Sequence, residues 1–127
     1  MIALVSTASG AFTVDLETEE VEAAYEGPAP AAEPVLNLPR LVAAAAVDAT
    51  VVAVVAATPP LLVSHDAGST WRAAGRGLPP GRAVAIAADD PEIVVYAARN
   101  RLYVSRNGGV FWTALPAELP EIVAVWF

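Results

Sequence analysis

A repeat of 41 residues constrains this 127-residue chain more than any other feature. The segment Leu61-Leu-Val-Ser-His-Asp-Ala-Gly-Ser-Thr-Trp71 aligns with Leu102-Tyr-Val-Ser-Arg-Asn-Gly-Gly-Val-Phe-Trp112. Ser64, Gly68 and Trp71 meet Ser105, Gly109 and Trp112, and Asp66 meets Asn107. Upstream, Arg40–Val47 faces Arg82–Ala88, and Val51–Ala56 faces Glu92–Ala97. A fixed period of this length marks supersecondary units that bury their apolar faces on one another.

Each unit divides into four short runs rich in Val, Ile, Tyr or Trp, separated by Asp-Ala, Pro-Pro, Asp-Asp-Pro and Asn-Gly-Gly. Such runs read as antiparallel strands joined by tight turns. The second unit gives strands at 41–47, 51–56, 61–64 and 69–74, and the third at 83–88, 92–98, 102–105 and 110–115. Four strands in one such period describe a β-propeller blade. Ala is the best helix former, so 41–47 also admits a helical reading, but its shortness and its Val/Ile counterparts at 84–86 favour a strand. Residues 2–7, 11–15 and 21–26 give only three strands, so this first unit lacks an innermost one. After the third unit stands a single run, 122–127, introduced by Leu119-Pro-Glu121 as the other innermost strands are by Leu38-Pro-Arg40 and Pro80-Gly-Arg82.

The expected fold is therefore all-β, one domain of three four-stranded antiparallel blades. Blade 1 comprises 1–27 plus strand 122–127, a connector spans 28–39, blade 2 spans 40–80 and blade 3 spans 81–120. Propellers need about four to eight blades, and an open arc leaves apolar faces and strand edges in water. The expectation is a homodimer by strand exchange, in which the last strand of one chain completes the first blade of the next and two chains close a six-bladed ring. The competing readings are a piece of a longer propeller and a different chain that supplies the missing blades.

Composition excludes several partners. Hydrophobic residues make up 56% and charged ones 17%, ample for a packed core. No window reaches the ~18 consecutive apolar residues of a membrane span, and the N-terminus lacks the basic start and unbroken apolar stretch of a secretory signal. We expect no membrane partner and a cytoplasmic location. A net charge of -7 argues against a nucleic-acid partner. With no Cys and the single His65, no cofactor and no metal site is expected.

The box Ser64-His-Asp-Ala-Gly-Ser-Thr-Trp71 fits the pattern Ser-x-Asp-x-Gly-x-Thr-Trp at every defined position, and Ser105–Trp112 is a degenerate copy with Asn107 for Asp and Phe111 for Thr. The chain thereby resembles the Asp-box (bacterial neuraminidase repeat) propeller superfamily of sialidases, sortilin-like receptors, xyloglucan hydrolases and photosystem II assembly factors. The resemblance covers residues 41–127 well and 1–27 as a generic blade. It implies that the boxes lie between the third and fourth strands, on the periphery. Ser64, Asp66, Gly68, Thr70, Trp71, Ser105, Asn107, Gly109 and Trp112 then read as structural, with Asp66 and Asn107 accepting backbone N–H bonds, glycine at φ > 0 and the Trp packed inward. His65 reads as a solvated turn residue.

Nothing outside the boxes matches the arginine cluster, tyrosine and carboxylates of sialidase chemistry, so no catalytic residue is assigned and an enzyme is disfavoured. The innermost strands are Leu, Val, Ala and Ile, short of titratable groups for acid-base work. Arg40, Arg82 and Glu121 each stand just before an innermost strand, where a ring would gather them at one channel mouth. They are candidate ligand-binding residues for a small anionic or protein partner, or else pairs that fix blade register. Glu17, Glu19, Glu20, Glu22 and Glu26 read as edge charges that oppose aggregation, and Arg99, Asn100 and Arg101 as a solvated turn. The expected function is a non-enzymatic binding or scaffold propeller. The alternatives are a carbohydrate-directed protein, lectin-like or a degenerate glycosidase, and an assembly factor of the photosystem type. Exposed Tyr96, Tyr103 or Trp126 would favour a lectin.

Overall fold

The computed structural model describes residues 1–23 and 33–127. The expected end of the third strand at 24–26, with Glu26, and the connector residues 28–32 lie outside them. The described chain forms β1 (Ile2–Thr7), β2 (Gly10–Asp15), β3 (Val21–Ala23), β4 (Leu41–Val47), β5 (Thr50–Val55), β6 (Leu61–Ser64), β7 (Arg72–Ala74), β8 (Ala83–Ile86), β9 (Val94–Ala97), β10 (Leu102–Ser105), β11 (Thr113–Ala114) and β12 (Ile122–Trp126). They assemble into three four-stranded antiparallel sheets, ordered β12-β1-β2-β3, β4-β5-β6-β7 and β8-β9-β10-β11. The Ala-rich run 41–47 is a strand, because each of Ala43 to Ala46 pairs with a β-branched or small partner on β5. The fourth strands start later than the repeat suggests, since residues 69–71 and 110–112 belong to the preceding turns.

The third sheet lies between the other two, with β8 in contact with β4 on one side and β12 on the other. This position explains why β8 and β9 are uniformly apolar instead of alternating: every one of their residues is buried. By the two-residue period of a strand, Ala83, Ala85, Val95, Ala97, Leu102 and Val104 face the first sheet. Val84, Ile86, Val94 and Tyr96 face the second. At about 25 cal/mol per Å² of apolar area removed from water, these two cores are the main stabilising contribution.

The last strand closes the first sheet, and it does so within its own chain. Val5 pairs with Val125 and Leu4 with Trp126. The last strand thus completes the first blade, as expected, in sheet order β12-β1-β2-β3. The segment before β12 is pinned locally: the Leu119 N–H donates to Asn100 O at 2.8 Å, the Ile122 N–H to Arg99 O at 2.7 Å, and the Ala8 N–H to Glu121 O at 2.8 Å. Those bonds set β12 beside β1 with Ile122 fully buried.

The two outer ends of the stack differ. On β5, Val52 and Val54 face the third sheet, so Val51, Ala53 and Val55 face away from it, yet they too are buried, Ala53 completely. On the first sheet the outward face holds Ile2, Leu4 and Trp126 together with Ser6, Thr13 and Asp15; Ile2 is 47% exposed and Leu4 and Trp126 are half-buried.

Candidate functional site

The most repeated polar geometry of the molecule is the turn after β6 and after β10. In the first, the Ser64 hydroxyl donates to Asp66 Oδ1 at 2.7 Å and accepts from the Gly68 N–H at 2.8 Å. The Thr70 N–H and hydroxyl donate to the two Asp66 carboxylate oxygens at 2.9 and 2.6 Å. The second repeats this with Ser105 on Asn107 at 2.9 Å, Gly109 N–H on Ser105 at 2.8 Å, and Phe111 N–H on Asn107 at 2.9 Å. An amide oxygen thus does the backbone work of a carboxylate, and what Phe111 forgoes is only the hydroxyl bond. Gly68 and Gly109 take φ of 92° and 91°, and the preceding Ala67 and Gly108 are also left-handed at 58° and 72°. Ala67 in that region is a conformation the motif alone did not reveal.

Asp66 is held down to about 2, first by the Thr70 hydroxyl, then by the Thr70 N–H and the Ser64 hydroxyl. Three donors to the ionised form disfavour its protonation. That makes it a poor general base, and Ser64 and Ser105 at the two turns are 1% and 0% exposed. Trp71 and Trp112 are half-buried. The Trp112 indole N–H bonds Gly109 O at 3.0 Å, and its ring meets Tyr96 edge-on at 6.0 Å. His65 is exposed at the turn surface.

Arg40, Arg82 and Glu121 stand, as expected, at the residue before β4, β8 and β12. Arg82 Nη1 donates to Glu121 Oε1 at 3.1 Å across the boundary between third and first sheets, and Arg101 pairs likewise with Glu118 at 3.2 Å. Arg82 and Glu121 therefore come together as a neutral pair. Arg40, left-handed at φ 59°, makes no ion pair among the described residues.

Along β4, β8 and β12 runs a half-open cavity of about 460 Å³. Its wall is aliphatic over most of its length, with Trp126 and Phe127 at one strand end and Glu33 and Arg82 as its charged residues. Sequence reasoning anticipated the aliphatic wall but not Glu33, which no motif singles out. Trp126 Nε1 is buried without a hydrogen-bond partner among the described residues. Tyr96, Tyr103 and Trp126 are buried or half-buried. Among the described residues no three His, Asp or Glu side chains gather to hold a metal, and no helix is long and apolar enough to cross a membrane. No family model, curated protein or solved structure matches the chain.

Proposed function

We propose that the chain is a non-enzymatic binding or scaffold protein built from propeller-type blades of the Asp-box kind, working as a pair of chains. The observation that carries the reading is the inner wall: β4, β8 and β12 contribute no titratable side chain, and the one Arg–Glu pair at its edge is mutually neutralised. A wall of this chemistry suits contact with a partner and offers no group for proton transfer. The doubled box turns support the blade reading, because each ties a third strand to a fourth with the same bonds.

The pairing reading rests on the outward face of the first sheet, where Ile2, Leu4 and Trp126 form an apolar strip beside Thr13 and Asp15. A six-bladed ring would also use the outward face of the second sheet, which one chain already buries at Val51, Ala53 and Val55. A contact through the first sheet is thus the better supported of the two. Light scattering across a dilution series tests it: a mass of two chains is expected, falling to one for Ile2→Lys. A single-chain mass at every concentration overturns pairing, and a pair that survives Ile2→Lys overturns this face.

A further inference from the structure

The turn after β10 holds the pair Asn107-Gly108, whereas neither Asn37 nor Asn100 is followed by glycine. In such a pair the nitrogen of the following residue can attack the carbonyl carbon of the asparagine side chain. Ammonia leaves, a cyclic imide forms between side chain and main chain, and water opens it to aspartate or to isoaspartate. Glycine favours the attack because no Cβ hinders its nitrogen. Asn107 is exposed to the water that the reaction consumes.

The folded turn opposes each step of the attack. The Gly108 N–H, which must lose its proton for the nitrogen to react, donates to Glu92 O at 2.9 Å. The Asn107 amide oxygen accepts from the Ser105 hydroxyl and the Phe111 N–H, both at 2.9 Å, which ties the side chain in place. The first clasp belongs to the turn and not to one residue, since the Ala67 N–H at the matching position donates to Ala49 O at 2.9 Å. We infer that Asn107 is a modification site gated by this turn: it deamidates only when the turn opens, and each event is a lasting record of an opening. The two products act in opposite directions. Aspartate restores the carboxylate present at Asp66 and strengthens the bonds from Ser105 and Phe111, because a charged acceptor binds a donor more tightly than an amide does. Isoaspartate lengthens the main chain by a carbon between Ser105 and Gly109, so the Gly109 N–H no longer meets the Ser105 hydroxyl. The inference goes beyond the binding reading and is independent of pairing.

Cleavage after Arg106 frees residues 107–127 as one peptide, in which mass and retention time separate asparagine, aspartate and isoaspartate, with Asn107→Asp as the standard. At neutral pH, conversion is expected to be slower by about tenfold or more in the folded chain than in concentrated urea, since a bonded group reacts through its open fraction alone. Hydrogen exchange at the Gly108 amide, followed by NMR, is the second measurement. That amide is expected to be protected, and Ser105→Ala to accelerate its exchange and the deamidation by the same factor. Warming the native chain below its melting point gives the same comparison without a substitution, each rate being divided by its value in urea. Conversion as fast in the folded chain as in urea overturns the inference. Faster conversion there overturns it too, by showing that the two donors on the amide oxygen promote the attack. Deamidation that does not follow Gly108 exchange, or none even in urea, would each overturn it as well.

Discussion

The Tyr96 hydroxyl donates to the Pro79 carbonyl at 2.5 Å. Its ring lies so close to Gly81 that a Cβ there would overlap it. Tyr96 is wholly buried between the second and third sheets, and burial pushes its phenol up to about 12, with nearby Tyr103 adding a smaller effect. Tyr96→Phe is expected to cost about 1 kcal/mol through the lost bond and the unpaired carbonyl. Gly81→Ala is expected to cost more, ~1–3 kcal/mol, because ring and strand must shift. Urea melts of both variants rank them. Because the folded pKa exceeds the unfolded value, the Tyr96 contribution is intact below pH 10 and is lost as pH rises toward 12.

The two box turns supply a matched pair of backbone tests. Ala67 is left-handed where its repeat partner is Gly108, and an L-residue there costs roughly 1–2 kcal/mol. Ala67→Gly is expected to raise the melting temperature. Gly108→Ala is expected to lower it, and since nothing lies within 4 Å of the added carbon, the loss would be purely conformational. Opposite signs in thermal melts are the expected outcome.

Asp66 gives the acid-side prediction. Its carboxyl is lowered from 3.8 to about 2, so its contribution is present above the unfolded value and is lost as pH falls through the folded one. Melting temperature is expected to drop between pH 4 and 2 in the native chain and to drop less in that window for Asp66→Asn, which copies Asn107. Direct carboxyl titration by NMR checks the midpoint.

Arg82 and Glu121 are about half exposed, at 46% and 47%. A double-mutant cycle on Arg82→Ala and Glu121→Ala is expected to return a coupling of no more than about 1 kcal/mol, shrinking in high salt.

Strand positions were legible because the 41-residue repeat supplied the same pattern twice, so that Ala43 to Ala46 could be read against the Val/Ile residues of β8. The box residues were legible for the same reason. The anchoring of β12 was not, because apolar patterning identifies an innermost strand without showing what holds the segment before it. The bonds that hold it, Leu119 to Asn100 and Ile122 to Arg99, are backbone contacts with no side-chain signature. The positions of Arg82 and Glu121 ahead of their strands were legible, and their union offset one of the charges on which an anion site was expected. The left-handed Ala67 left no trace in its own identity and shows only in the glycine at 108.

Thr7 pairs with Ile122, 115 residues away in sequence. On the ribosome, β1 and β2 emerge well before β12, so the inner edge of β1 keeps unpaired N–H and C=O groups until β12 has been translated. The third sheet, made in between, supplies the surface on which that first hairpin and the late strand meet. The first sheet is thus finished only after the third, and its folding must wait on a closure between distant segments. Through that interval the β1 edge is the place where a nascent chain would pair with the wrong neighbour.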